Sequence, residues 1–224
     1  MCNLYANTST QQAMRALFDV APGRDRLGNF VPLPAIHPRY RAPVVRQDGD
    51  GARVLETMHW GFLLPQTSKK TGKPILPKAV TNARDDKLRV SRFWADSFES
   101  RRCLVPATSF AEAKGRNPAT FYWFGLVEGT GPRPPFAFAG LWRRFRGEYR
   151  GDRVEIDTYT IITTAANALV RPVHPDRMPV ILAPEDHATW LSGTAQEAAR
   201  LMRPFPADRM RIVRRGEGVT ADPG

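Results

Sequence analysis

The sequence predicts an α+β fold: a single domain with a curved, barrel-like, mainly antiparallel sheet and a few flanking helices. Runs rich in β-branched and aromatic residues recur between Gly- and Pro-rich breaks, as short strands do. Helical periodicity is confined to three short stretches. The 224 residues can bury a substantial core and sit near the upper size of one domain. No repeat or low-complexity linker divides them. Residues 1–215 are read as the domain, and 216–224, which contain Gly and Pro, as a flexible tail.

Ser9 to Asp19 reads as a helix, with Thr8 or Ser9 as cap and Ala13, Met14, Leu17 and Phe18 on one face. Pro32 to Pro43 must be extended or turning, because proline fixes φ and lacks a donor. A hairpin follows, Val44-Val45 and Val54 to Met58 flanking Asp48-Gly49-Asp50-Gly51. Strands are expected at Leu104-Val105, Thr120 to Val127, Phe136 to Trp142 and Val154 to Thr163. Two short helices are expected near Pro184 to Leu191 and Thr194 to Met202, and a last strand at Met210 to Val213.

Lys and Arg outnumber Asp and Glu by 33 to 22, a net charge of +11. That balance attracts polyanions, and guanidinium groups bind phosphate bidentately. It also fits a soluble basic protein with no such partner. No apolar stretch is long enough to span a bilayer, and no signal peptide is evident, so the expected location is the cytoplasm. His37, His59, His174 and His187 show no metal-ligand spacing, and no metal or other cofactor is expected.

Two cysteines are too few for a disulfide framework. Cys103, in Cys103-Leu104-Val105, reads as a small core residue. Cys2 differs by position. An initiator methionine is removed when the next residue is small, which would leave an α-amine and a thiol on adjacent carbons. Their reference pKa values, ~8 and ~8.5, make both nucleophiles accessible near neutrality. Such an aminothiol forms an imine with an aldehyde and then closes a thiazolidine ring. The alternative target is an amide attacked by the thiolate.

Met1-Cys2-Asn3-Leu4-Tyr5 is followed by His59-Trp60-Gly61-Phe62, Thr81-Asn82-Ala83-Arg84 and Arg102 to Ala107 leading to Glu112. Phe138-Ala139-Gly140-Leu141-Trp142 and Val173-His174-Pro175-Asp176-Arg177-Met178-Pro179 complete the series. In this order the strings resemble the SOS-response-associated peptidase family, over nearly the whole chain. The resemblance implies capture of abasic sites in single-stranded DNA as a covalent protein–DNA linkage that shields the lesion. It also implies autopeptidase and lyase activities, and association with the nucleoid when bound to DNA.

By that resemblance Cys2 is the crosslinking nucleophile, and Asn82 orients its amine or the opened sugar. Glu112 assists ring opening by proton transfer, and His174 shuttles protons during imine formation. Trp60 contacts bases beside the lesion, while Arg84 and Arg177 hold phosphates. The residue types suit this chemistry. Opening a hemiacetal needs an acid/base pair, and single-strand binding couples aromatic platforms to a basic groove. An arginine near the site would also lower the thiol pKa.

Singly, each residue has a plain structural reading: Trp60 as core, His174 as a loop residue, Glu112 as surface and Asn82 as a turn. The chain departs from the family pattern at Asn3-Leu4, where many members have Gly-Arg, at Ala113 in place of Trp, and at the additional Pro175. Two other functions fit the residues. One is an N-terminal-nucleophile amidohydrolase using Cys2, with Asn82 in an oxyanion hole. The other is a non-covalent single-strand binder.

Overall fold

The computed structural model describes residues 2–127 and 133–224. Met1, whose removal is expected, lies outside the described residues. The first strands are β1 (Tyr5–Asn7), β2 (Leu33–Ile36), β3 (Arg41–Gln47), β4 (Arg53–Trp60), β5 (Phe62–Thr67), β6 (Pro74–Val80) and β7 (Asn82–Arg84). They continue with β8 (Arg102–Ala107), β9 (Ser109–Lys114), β10 (Thr120–Leu126), β11 (Phe136–Tyr149) and β12 (Asp152–Ala165). Short β13 (Arg177–Pro179), β14 (Ile181–Leu182) and the longer β15 (Met210–Glu217) complete the set. The helices are α1 (Gln11–Phe18), α2 (Ala95–Ser100), α3 (His187–Ser192) and α4 (Ala195–Arg200). No helix among the described residues is long and apolar enough to cross a membrane.

Strand β3 pairs with β4 and β8, β11 pairs with β8 and β12, and β12 returns to β4. These ladders close a five-stranded ring, antiparallel except at β12–β4, which is the barrel the sequence predicts. A second sheet, in the order β15-β10-β9-β1-β2, places the N-terminal strand between two neighbours.

Both faces of the ring strands are apolar because both are covered. Side chains alternate across a strand, so Val44, Val105, Phe138 and Ile161 join a core cluster with Tyr5 and Phe110 of the second sheet. Their neighbours Val45, Leu104, Ala139 and Ile162 pack in another cluster with Met14 and Phe18 of α1 and Trp190 of α3. This explains apolar runs such as Cys103-Leu104-Val105, which lack the alternation of a half-exposed strand.

Helix α1 starts later than predicted. Thr10 rather than Thr8 or Ser9 caps it, accepting from the Ala13 amide at 3.1 Å, because the Ser9 hydroxyl is engaged by the Asn7 side chain. The predicted hairpin and the four predicted central strands form, most of them longer than expected. Strands β1, β5, β6, β7 and β9 and helix α2 are not anticipated by the sequence patterns.

The chain end corrects the expectation of a flexible tail. Residues 216–217 finish β15, and Asp222 is fully buried. Its carboxylate meets the Arg133 guanidinium at 2.7 Å and accepts from the Ser109 hydroxyl at 2.6 Å, while its amide donates to the Pro34 carbonyl. The terminus is therefore docked on the second sheet.

Candidate active site around Cys2

Strand β1 pairs with β9 at Tyr5↔Phe110, and the Ala111 amide donates to the Leu4 carbonyl at 2.9 Å. Those bonds draw the N-terminal segment into the core and leave Cys2 completely buried. Its sulfur lies 3.5 Å from the Leu4 carbonyl oxygen. Burial pushes the thiol pKa up, and the negative charge of Glu112 adds to the effect. The expectation of an arginine-lowered thiol is thus corrected: this sulfur holds its proton.

Asn82 reaches Cys2 from the other side. Gly61, at φ +111, turns the chain out of β4; a side chain there would also collide with Ala79. The excursion through β5 and β6 returns at β7, which pairs in parallel with β12 at Ile161↔Asn82. The Asn82 Nδ2 donates to the Cys2 carbonyl at 2.8 Å and to Thr81 Oγ1 at 3.0 Å. The Thr81 hydroxyl in turn donates to Asn3 Oδ1 at 3.0 Å. Both donors of the Asn82 amide are used, whereas its buried Oδ1 has no partner among the described residues.

Glu112, on β9, is buried near Cys2, and desolvation raises its pKa to about 7. The surface reading of this residue does not hold. A carboxyl poised near neutrality is suited to moving protons in either direction. Near Cys2, Tyr5 and Tyr159 are fully buried with hydroxyl oxygens 2.5 Å apart.

An open groove lined by Asn3, Arg84, His174, Pro175, Asp176 and Arg177 lies beside this buried cluster. His174 is half-buried, and its Nδ1 accepts from the Arg177 amide at 3.2 Å, which leaves the proton on Nε2. Burial lowers its pKa, so the ring is neutral at pH 7. Arg177 is tied to the scaffold, its guanidinium donating to Asp85 at 2.7 Å and to the Thr163 carbonyl. Arg84 forms a bidentate pair with Asp86 at 2.8 and 2.9 Å, and stays exposed. Both arginines line the groove, but each already holds a carboxylate.

Trp60 is the clear departure. It is fully buried, donates its indole N–H to the Thr81 carbonyl at 3.0 Å, and packs edge-on against Tyr5. With no exposed face it cannot stack on a base; it supports the Thr81-Asn82 strand from below. Cys2, Asn82 and Glu112 are therefore brought together in the interior, and His174, Arg84 and Arg177 along the groove. Sequence patterns gave no role to Asn3, Thr81 or the tyrosine pair, although Asn3 and Thr81 adjoin residues that received one. Among the described residues no group of His, Cys, Asp or Glu is arranged to hold a metal ion.

The family model described as SOS response associated peptidase (SRAP) matches residues 1–220. The chain belongs to that family. SRAP relatives include two from Bacillus subtilis strain 168 named abasic site processing proteins. YoqW is 31% identical over 203 residues, covering 86% of this chain and 85% of its own. YobE is 31% identical over 206 residues, covering 86% and 87%. A crystal structure of a Bordetella bronchiseptica protein superposes with a TM-score of 0.73 at 26% identity, covering 96% of this chain and 99% of its own. A Bacteroides thetaiotaomicron structure reaches the same TM-score at 20% identity and shows the fold alone.

Proposed function

We propose that this SRAP protein processes abasic sites in single-stranded DNA by capturing them covalently through Cys2. The observation that carries the reading is the clasp on Cys2. Its carbonyl is held by Asn82, its thiol is kept protonated, and a carboxyl with a pKa near 7 lies beside it. Relatives named for abasic site processing support the substrate class.

Removal of Met1, by the chain itself or by an aminopeptidase, frees the α-amine. The amine attacks C1′ of the open-chain sugar, and the carbinolamine loses water to give an imine. The sulfur then adds to the imine carbon, and its proton ends on nitrogen, closing a thiazolidine. One water leaves and no oxidant is consumed. Glu112 as carboxylate takes the thiol proton while the C–S bond forms, and returns it to nitrogen. Ring closure also removes the imine that would promote β-elimination at the 3′ phosphate, so lyase chemistry competes with capture. His174, neutral with Nε2–H directed by its Nδ1 acceptor bond, serves proton transfer on the sugar oxygens. Arg84 and Arg177 hold flanking phosphates by exchanging their carboxylate partners for the DNA. The protein acts in the cytoplasm, at the nucleoid when it engages DNA.

A buried, proton-retaining thiol is a poor match for direct attack on an amide, so the amidohydrolase reading is the weaker one. Incubating the protein with an oligonucleotide carrying one abasic site, followed by a denaturing gel, tests the proposal. A band that survives denaturation and is lost in Cys2→Ala is expected; its absence from a preparation lacking Met1 would exclude capture.

A further inference from the structure

Asn3 follows the nucleophile directly, so its Cα is fixed about 3.8 Å from that of Cys2. Cys2 is completely buried, whereas Asn3 is exposed and lines the open groove with His174 and Arg177. It joins the buried cluster to the groove.

The orientation of its amide follows from the bonds behind it. A carbonyl oxygen only accepts, so the Asn82 atom that meets the Cys2 carbonyl at 2.8 Å is Nδ2. The second proton on that nitrogen goes to Thr81 Oγ1 at 3.0 Å. The Thr81 hydroxyl has one proton to give, and Asn3 Oδ1 accepts it at 3.0 Å. From Asn82 outward the chain of donors runs in one direction and leaves both protons on Asn3 Nδ2 unused among the described residues. Arg84 and Arg177, on the same groove, already hold Asp86 and Asp85.

Within a DNA strand an abasic deoxyribose has O3′ and O5′ esterified, and its C1′ hydroxyl departs as water when the imine forms. O4′ is the oxygen that persists, in the ring of the closed hemiacetal and as a hydroxyl once the C1′–O4′ bond breaks. During that step O4′ takes a proton while the C1′ hydroxyl loses one, so ring opening is a balanced isomerisation. A fixed neutral donor at O4′ stabilises the negative charge as it develops there.

We infer that Asn3 is a specificity-determining residue whose Nδ2 donates to O4′ of the abasic sugar. The contact makes Cys2 selective for a sugar aldehyde over a plain one. It rests on the proposed capture by Cys2 and lies on the lesion itself, not on the flanking strand.

The test reacts the full chain lacking Met1 with an abasic oligonucleotide, with 2-deoxyribose and with butanal, which carries no hydroxyl. Adduct formation is timed by intact mass. Two variants are compared: Asn3→Ala, and Asn3→Asp, which keeps an acceptor for Thr81 but offers no donor. Both should slow reaction with deoxyribose, and with the oligonucleotide at saturation, by about three- to tenfold. Their rates with butanal should match the parent's. Equal slowing with all three aldehydes would reduce Asn3 to holding Cys2 in place and overturn the contact. Parental rates throughout would overturn it too, as would slowing with the oligonucleotide alone, which would move the contact to the strand. An unaltered protein that forms no adduct with any of the three would overturn the capture reading itself, and this contact with it.

Discussion

The side-chain amide of Asn82 donates to the backbone carbonyl of Cys2 at 2.8 Å, across 80 residues of sequence. That bond fixes the nucleophile's main chain while leaving its amine and sulfur to react. Replacing Asn82 by Ala leaves a buried carbonyl without its donor, a loss worth about 1–3 kcal/mol. The expected result is a crosslinking rate lowered by roughly ten- to a hundredfold, with affinity for lesion-free single strands retained. Single-turnover kinetics and anisotropy on the same preparation separate the two effects.

Glu112 gives a pH signature. Burial lifts its pKa to about 7, so the folded protein holds this proton to higher pH than the unfolded chain does. Its contribution to stability is therefore complete below the ordinary carboxylate range and lost as pH rises through about 7. The loss is on the order of 3 kcal/mol. Urea titrations from about pH 4 to 8 should show the unaltered protein declining relative to Glu112→Gln. Capture should speed up through the same range, since the carboxylate is the reacting form, and Glu112→Gln should lose that inflection.

Trp60 separates a supporting role from a base-contacting one. As a fully buried side chain, its replacement by Ala should cost about 3–5 kcal/mol of stability. Single-strand affinity, measured where the variant is still folded, should stay close to that of the parent. Unchanged stability with a large loss of affinity would restore a base-contacting role.

What was legible in the sequence depended on whether a neighbour in space was needed. The predicted hairpin and the long β11 and β12 strands declare themselves locally, by turn residues and β-branched runs. Strand β1 is only three residues long and exists because β2 and β9 flank it, so no periodicity marks it. Cys2, Asn82 and Glu112 stand out through ordered strings, but their burial together arises from pairings far apart in sequence. By itself Trp60 next to Gly61 reads as core, and only the family resemblance makes it a platform; its full burial and the indole bond to Thr81 return it to the core. The tail misleads for a similar reason. A Gly- and Pro-containing terminus gives no sign that Arg133 waits for Asp222.

That last pair also carries an expectation. Asp222→Ala leaves the Ser109 hydroxyl and the Arg133 guanidinium without the carboxylate they share at 2.6 and 2.7 Å. Removing one partner of a buried ion pair costs about 3–5 kcal/mol. The urea midpoint should fall accordingly, whereas a flexible tail would leave it unchanged.

Whether Cys2 becomes covalently joined to an abasic site is read most simply from intact mass. The protein is mixed with a single-stranded oligonucleotide bearing one abasic site, and the product is compared with that of Cys2→Ala. Capture through Cys2 gives a species with the mass of the chain lacking Met1 plus the oligonucleotide less one water, absent from the variant. A protein confirmed to lack Met1 that gives no such species, or a Cys2→Ala variant that gives it equally, would rule that linkage out.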